Sequence, residues 1–245
     1  MKRVHMLYLV LAFSLLLFVP GSLLADPGAY IYQYGDYNDA SIDQVGPSNT
    51  AYIYQGNVEY ESVSNYAVAY ISQSVDGGNW AYIYQFGEGT EGAYNDASIY
   101  QSGTNGSATI NQGIYPVYDH LSSNVASITQ SGDNDVASIY QRGSDNSATV
   151  YQSGSDNDAN VYQNGLNNYA EQYQSGDYNT ANIRQSDSDH YAYQEQSGNY
   201  NTADIEQWGD GNSATQYQYT DENTAYIYQY GSGNEATQYQ GYYYQ

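Results

Sequence analysis

The sequence has 245 residues, of which 27 are acidic and only four are basic, and it contains no cysteine. The acidic excess opposes binding to nucleic acid and to anionic membrane surfaces, and the absence of cysteine excludes disulfides and thiol chemistry. Tyrosine supplies 34 residues, whereas large aliphatic residues are too scarce beyond the N-terminal segment for a conventional globular core of this length.

Residues 1–25 have the composition of a secretory signal peptide. Two basic residues at positions 2 and 3 precede an apolar run over residues 7–19, and small or apolar residues lead to Ala25. The run is short for a membrane-spanning helix, and the chain after it is polar. We therefore expect cleavage near Ala25 and a secreted protein that is not an integral membrane protein, with a repeat domain at residues 26–245.

The repeat domain is built from eighteen copies of the pattern Asn-x-Ala-x-Ile-x-Gln-x-Gly, which follow one another every 11 residues from Ala126 onward. The Ala, Ile and Gln positions are two residues apart and therefore share one face of a β-strand. The Gly and Asn that follow accept the positive φ of tight turns. The period of 2 excludes a helix, so each copy predicts one strand and one turn.

The true period of the array is 22 residues, because the middle position of the strand alternates in the second half of the chain. This position is occupied in turn by Gln172, Ile183, Gln194, Ile205, Gln216, Ile227 and Gln238. Alternate strands therefore occupy two environments, as they would in two facing sheets. The pattern predicts an all-β fold, a two-sheet parallel β-solenoid of about nine 22-residue turns.

Three insertions interrupt the first half of the array, near residues 57–66, 88–94 and 114–122. All three follow odd-numbered strands, so they are expected to emerge from one edge of the solenoid. The third contains Pro116, which cannot donate to a sheet ladder and fits a loop.

Stacking places equivalent residues above one another, so buried amides can donate to one neighbour and accept from the other. The predicted glutamine ladder comprises Gln33, Gln44, Gln55, Gln73, Gln85, Gln101, Gln112, Gln130, Gln141, Gln152, Gln163, Gln174, Gln185, Gln196, Gln207, Gln218, Gln229 and Gln240. The predicted asparagine members are Asn146, Asn157, Asn168, Asn179, Asn201, Asn212, Asn223 and Asn234. Because strand edges at both ends of the stack stay unpaired, another copy of the chain is the natural partner.

The spacing Gln-x4-Asn-x5-Gln, as between Gln207 and Gln218, resembles the repeat of the curlin subunits of bacterial curli. The likeness extends over about residues 27–241 and is weaker at residues 185–196, where His190 stands at the asparagine position. It implies a curli-like amyloid: a secreted structural subunit that self-assembles into extracellular fibres at the cell surface, for biofilm matrix and adhesion. It further implies a homopolymer, with a nucleator subunit and an outer-membrane export channel as partners.

Two alternatives remain open. The chain could be the nucleator, or minor, subunit of the same fibre, although its tyrosine-rich C-terminal segment lacks the basic residues expected of one. It could also be a soluble β-solenoid that binds a ligand or ice, although the threonines form no regular column.

No residues point to catalysis, a cofactor or a bound metal, so we expect the protein not to be an enzyme. The three histidines have no cysteine and no fixed acidic partner in the sequence. Acidic pairs such as Asp156 and Asp158 are better explained by turn capping than by calcium binding. The outward tyrosine column is consistent either with cross-strand packing or with a binding surface.

Five residues near the middle of the array are predicted to resist pairing between strands of different copies, because charges would lie above one another. These gatekeepers are Arg184, Asp187, Asp189, His190 and Glu195. By contrast, the segments at 29–35 and 225–231 both read Ala-Tyr-Ile-Tyr-Gln-Tyr-Gly and contain no charge. The hypothesis is that the two ends are the adhesive parts, and the alternative is that all units contribute alike.

Overall fold

The computed structural model describes residues 28–34, 38–46, 48–56, 67–74, 77–86, 95–113 and 123–241, which form 18 strands and no helix. The predicted signal peptide and the three insertions lie outside the described residues. The odd-numbered strands are Gly28–Gln33 (β1), Thr50–Gln55 (β3), Trp80–Phe86 (β5), Ser107–Gly113 (β7), Val136–Ser144 (β9), Asp158–Leu166 (β11), Thr180–Ser188 (β13), Thr202–Asp210 (β15) and Thr224–Tyr230 (β17). The even-numbered strands are Asp39–Val45 (β2), Val68–Ser74 (β4), Asp96–Gln101 (β6), Val125–Gln130 (β8), Ser147–Ser155 (β10), Tyr169–Asp177 (β12), Tyr191–Ser197 (β14), Ser213–Gln218 (β16) and Glu235–Gln240 (β18).

The strands form two parallel sheets of nine strands each. One sheet has the order β1-β3-β5-β7-β9-β11-β13-β15-β17, and the other has the order β18-β16-β14-β12-β10-β8-β6-β4-β2. Each strand therefore pairs with the strand two positions away in the sequence, and two consecutive strands complete one turn. This arrangement confirms the predicted two-sheet parallel β-solenoid of nine turns. Within the described residues no segment has the helical length and hydropathy needed to cross a membrane.

The register is the same at every level of the stack. Between β11 and β13, Ala159 pairs with Ala181 and Gln163 pairs with Gln185. The pairing of β5 with β7, across an insertion, still places Ala81 opposite Ala108. The insertions therefore leave the alignment of the inward-facing columns unchanged.

The interior contains three columns from each sheet: alanine, a middle residue that is Ile, Val or Gln, and glutamine. Ile53, Ile99 and Ile183 are at most 1% exposed, and each such side chain contributes about 1.5–3 kcal/mol by leaving water. Residues between these positions point outward and are exposed or half-buried. This alternation is why the strands read with a period of 2.

Glycine is favoured in the turns because consecutive turns lie very close together. Gly154 has φ +107°, and a Cβ at this position would lie 2.0 Å from the carbonyl oxygen of Gly176 in the next turn. Gly143 has φ +108° and stands in the same relation to Gly165, also at 2.0 Å. A Cβ added at these two glycines would collide with the backbone of the next turn; Asp187, at φ 84°, is the one residue with a side chain among the described members of the Gly143 column.

A substitution of glycine by alanine should therefore be far more costly inside the stack than at an open turn. Gly154→Ala adds a backbone collision to the strain of positive φ, and we expect it to lower the urea midpoint of β-sheet unfolding markedly. Gly211→Ala is the matched control, because Gly211 also has positive φ (+64°) but has no atom within 4 Å of the added Cβ; it should cost only about 1–2 kcal/mol. Circular dichroism follows the unfolding of each variant. Equal urea midpoints for the two variants would contradict the close stacking of the turns.

Candidate functional site

Two ladders of side-chain amides run through the interior of the solenoid. In each ladder the Nε2 of one glutamine donates to the Oε1 of the glutamine one turn later, over 2.5–3.0 Å. One ladder joins Gln33, Gln55, Gln85, Gln112, Gln141, Gln163, Gln185, Gln207 and Gln229. The other joins Gln44, Gln73, Gln101, Gln130, Gln152, Gln174, Gln196, Gln218 and Gln240. The structure thus brings together all eighteen glutamines selected from the sequence.

The second proton of these amides ties the two sheets to each other. Gln163 Nε2 donates across the interior to the carbonyl oxygen of Ser147 at 3.0 Å, and Gln174 Nε2 donates to that of Asp158 at 3.0 Å. In both cases the acceptor belongs to the first residue of a strand in the opposite sheet. A buried amide costs free energy unless its donors and its acceptor are used, and this geometry uses all of them.

An asparagine column precedes the strands of each sheet. Asn157 shows the pattern: its Oδ1 accepts the backbone N–H of Asn179, one turn later, at 3.0 Å, and its Nδ2 donates to the carbonyl oxygen of Gly176 at 2.8 Å. The predicted asparagines all lie at this position, namely Asn146, Asn157, Asn168, Asn179, Asn201, Asn212, Asn223 and Asn234. Each asparagine contact therefore fixes a turn of the chain to the turn above it.

The predicted set omitted two groups of residues that the structure adds. The first is Asn49, Asn79, Asn95 and Asn124, which are buried at the same position in the irregularly spaced first half. The second is a third amide ladder, in which Gln172, Gln194 and Gln216 are buried and bonded in series as far as Gln238. The sequence signal for these four asparagines is their place two residues before an alanine of the interior column. The signal for the third ladder is the alternation of Gln and Ile at the middle position of the strands.

His190 fills the asparagine position between Asn168 and Asn212 and is 1% exposed. Its Nδ1 accepts the backbone N–H of Asn212 at 3.2 Å, so its Nε2 carries the proton and donates to the carbonyl oxygen of Ser186 at 2.8 Å. Asparagines of the column also donate to the residue four positions earlier, as Asn212 does to Trp208 at 3.1 Å. The neutral ring therefore reproduces the donor and acceptor of an asparagine.

Asp135 fills the same position but does not reproduce the hydrogen bonds of an asparagine. Its Oδ1 accepts from the backbone and side-chain nitrogens of Asn157, at 3.0 and 3.1 Å, but its Oδ2 is buried and has no partner among the described residues. An added Cβ at Gly132 would lie within 2.6 Å of Oδ2 and 1.8 Å of the Gly154 carbonyl oxygen. Two acceptor oxygens therefore face the space where an asparagine would place its donating NH₂.

This arrangement disfavours the ionised carboxylate. Burial raises the pKa of Asp135 to about 6, the charges of Asp133 and Asp156 act in the same direction, and the bonds from Asn157 oppose the change. When Asp135 is protonated, Oδ2 becomes a donor that can reach the Gly154 carbonyl oxygen.

The charged residues proposed as gatekeepers all have partners within the stack. Arg184 lies over the rings of Tyr162 and Trp208, at 5.6 and 5.0 Å from their centroids, and is 3.9 Å from Glu206.

The acidic gatekeepers accept hydrogen bonds within the same stack. Asp187 accepts from the Gly209 N–H at 3.1 Å, and Asp189 accepts from Asn167 Nδ2 at 3.2 Å. Glu195 accepts from the Tyr193 hydroxyl at 2.8 Å. A single molecule thus accommodates these charges, and their role between copies remains a prediction.

Tyrosines stack along the outer faces of both sheets. Ring centroids are 4.8 Å apart for Tyr30 and Tyr52, and 4.7 Å apart for Tyr217 and Tyr239, with planes within 9° of parallel. Such stacking supports the cross-strand interpretation of the outward tyrosines. The described residues contain no group of three or more His, Asp or Glu that could hold a metal ion.

The ladders run in one direction, so the two ends of the solenoid differ. At the N-terminal end no amide of the described residues donates to the Oε1 of Gln33 or of Gln44. At the other end Gln229 and Gln240 donate across the interior, to Ser213 and Thr224, and their axial protons reach no acceptor in the described chain. One end therefore presents acceptors and the other presents donors.

Comparison with known proteins gives one positive result. A family model described as the curlin associated repeat matches residues 28–56, 122–154, 154–186 and 209–237, which together make up about half of the chain. No curated protein matches the sequence.

Asp135→Asn should stabilise the solenoid in a pH-dependent way. The folded-state pKa of about 6 lies above the ordinary value of 3.8, so the parent loses stability as pH rises from 4 to 6 and carries the full penalty above that range. A change of about two pKa units corresponds to about 3 kcal/mol, which the variant should regain at pH 7 and not at pH 3.5. Urea unfolding across this pH range measures the difference.

Asp133→Asn is the control with the opposite sign. Hydrogen bonds from the Thr104 side chain and backbone hold the pKa of exposed Asp133 below its usual value, so this substitution should slightly reduce stability above pH 4. If Asp135→Asn has the same effect at pH 3.5 and pH 7, the carboxylate is not the source of the penalty.

Proposed function

The chain belongs to the curlin family, and from this premise we propose that it is a secreted structural subunit that polymerises end to end into an extracellular curli-like amyloid fibre. The family is one of structural fibre subunits, defined by the repeat that matches here. Biofilm matrix and surface adhesion are the roles we propose for the fibre. A nucleator subunit and an outer-membrane export channel are the partners that we propose for its assembly.

The observation that carries the proposal is the complementarity of the two ends of the amide ladders. Stacking β17 of one copy on β1 of a second copy would bring the free axial protons of Gln229 to the Oε1 of Gln33. The same step on the other sheet would bring Gln240 to Gln44. The junction would then repeat the bond that joins every pair of turns inside one molecule.

Sequence identity at the two ends supports the same register. β17 and β1 share the segment Ala-Tyr-Ile-Tyr-Gln, so Ala, Ile and Gln would each meet their like. Tyr226 and Tyr228, which are 52% and 54% exposed, would extend the stack that starts with Tyr30 and Tyr32, which are 44% and 41% exposed. Covering these rings adds apolar burial to the backbone and amide bonds of the junction.

Burial at the end strands shows what a second copy would cover. In β1 and β18 the inward residues are half-buried or exposed, whereas the equivalent residues of internal strands are buried. Among the described residues, the outer edges of β1, β2, β17 and β18 carry backbone groups that no strand pairs. A soluble ligand-binding rod would normally protect such edges, which is why we favour assembly over that alternative.

We expect residues 26–245, at micromolar concentration in physiological buffer, to form fibres after a lag that preformed seeds abolish. Unpaired edges of matching register make elongation favourable once a first stack exists, while forming that stack orders many residues at once. Thioflavin T fluorescence and electron microscopy follow the conversion. A chain that remains monomeric for days, with and without seeds, would overturn the fibre proposal.

Glutamines at the ends should matter for growth, and internal ones for the stability of each subunit. Gln33→Ala and Gln229→Ala each remove one side of the proposed junction and should slow seeded elongation, and they should lower the unfolding midpoint less than internal substitutions do, because each loses one ladder bond instead of two. Gln185 and Gln196 are fully buried and bonded on both sides, so Gln185→Ala and Gln196→Ala should mainly lower the unfolding midpoint. If the internal pair slows elongation as much as the terminal pair, growth is not directed by the ends.

A further inference from the structure

Tyr178 and Tyr200 occupy turn positions where the backbone is left-handed, with φ of 58° at both. In the same column of turns Asn134 and Asp156, at φ 57° and 58°, tolerate this conformation better than a bulky ring does, and Glu222 adopts it as well, at φ 57°. Burial does not compensate for the strain, because the two tyrosines are 50% and 58% exposed. Strained residues that the fold does not need are candidates for function.

The two rings lie face to face at the edge of the solenoid. Their centroids are 5.0 Å apart and their planes are within 3° of parallel. The pair belongs to the turns between β12 and β13 and between β14 and β15, and neither turn adjoins β1, β2, β17 or β18 in the sequence. It therefore remains accessible to a reagent in the single molecule and in an end-to-end fibre alike.

A proton acceptor is already in place beside one ring. The negative charge of the neighbouring Asp156 raises the pKa of the Tyr178 phenol. Oxidation reverses the preference, because a phenol that loses an electron becomes a strong acid and must release its proton. The nearby Asp156 carboxylate can take that proton.

We propose that Tyr178 and Tyr200 form an oxidative modification site, at which a one-electron oxidant of the peroxidase and hydrogen peroxide class joins the two rings as dityrosine. Each phenol loses one electron to the oxidant. The proton of Tyr178 passes to Asp156, and that of Tyr200 passes to water.

The two phenoxyl radicals then form a carbon–carbon bond between ring carbons next to the hydroxyls. The hydrogen on each bonded carbon moves as a proton to the oxygen of its ring, which restores two phenols. Two electrons and two protons are removed in all, and hydrogen peroxide takes them up as it becomes two molecules of water.

The expected consequence is a covalent link between successive turns of the solenoid. Rings stacked at 5.0 Å must still approach for bonding, and their exposed positions leave them free to rotate. The link joins residues 22 positions apart and restrains the chain in its unfolded state, as a disulfide does. The link would stabilise a solenoid that has no cysteine in an oxidising environment. Its formation does not depend on fibre assembly.

The test treats residues 26–245, as monomer and as fibre, with peroxidase and hydrogen peroxide, then digests the product with a protease that cleaves after acidic residues. Mass spectrometry locates the cross-links, because the chain has 34 tyrosines and total dityrosine fluorescence cannot assign them. The link between Tyr178 and Tyr200 should be the most abundant intramolecular product in both states. Its absence, or an even spread over the stacked pairs, overturns the proposal.

Substitutions separate the roles of the three residues. Tyr178→Phe and Tyr200→Phe keep the rings but should each abolish this cross-link, in variants whose circular dichroism matches the parent. Tyr191→Phe is the matched control, because Tyr191 is stacked on Tyr169 at 5.4 Å and its loss should leave the product unchanged.

Asp156→Asn should slow the coupling severalfold near neutral pH, whereas Asp145→Asn should not. Asp145 has the same φ of 58° in a turn on the opposite edge of the solenoid. Equal coupling rates for the parent and Asp156→Asn would refute the role of Asp156 as proton acceptor.

Discussion

The structure depends on how a buried primary amide is satisfied. Such a group has two donors and one acceptor, and it costs free energy if any of them loses water without replacement. Gln163 accepts from Gln141, donates to Gln185, and gives its second proton to the Ser147 carbonyl of the opposite sheet. One side chain therefore fixes the level below, the level above and the facing sheet. A shift of register by one residue would turn every glutamine outward and lose all three contacts, so the 22-residue period and the sheet pairing are set by the same group.

Direction follows from the same bonds. An apolar column is symmetrical along the axis, whereas each amide in the ladder donates toward the C-terminal end and accepts from the N-terminal end. The asparagine column has a direction too, since its Oδ1 atoms accept backbone protons from the following turn, as Asn146 does from Asn168. Ends that differ in this way can join only head to tail. The repeat thus sets the polarity of a stack as well as its spacing, and polarity is what separates an ordered polymer from non-specific edge pairing.

Much of this architecture could be predicted because the residue pattern of each repeat unit shows which positions are buried. Period 2 identifies the strands, the alternation of Gln172 and Ile183 identifies two sheets, and invariant spacing identifies the glutamine columns. The acceptors of the second amide proton could not be predicted, since they depend on how far apart the sheets lie. The asparagines in the first half of the array, such as Asn79, were missing from the prediction because insertions disturb the repeat spacing there. The raised pKa of Asp135 could not be predicted from the sequence. It depends on an Oδ2 atom that has no partner among the described residues and on the nearby carbonyl oxygen of Gly154, which belongs to the next turn of the solenoid.

The residues that replace asparagine in its column keep different parts of the hydrogen bonding of that position. His190 satisfies the pattern with a ring whose Nδ1 accepts and whose Nε2 donates. Asp135 satisfies half of it and is left with a buried acceptor. The matches to the curlin associated repeat omit residues 57–121 and 187–208. The first range contains most of the inserted residues and the second contains His190. The same two sheets nevertheless continue through both ranges, as β4 to β7, β14 and most of β15. The paired strands keep the turn in place even without an asparagine side chain, because Ala67 and Gly106 also fill this column and their backbone N–H groups still donate to the Oδ1 atoms of Asn38 and Asn79 in the preceding turn.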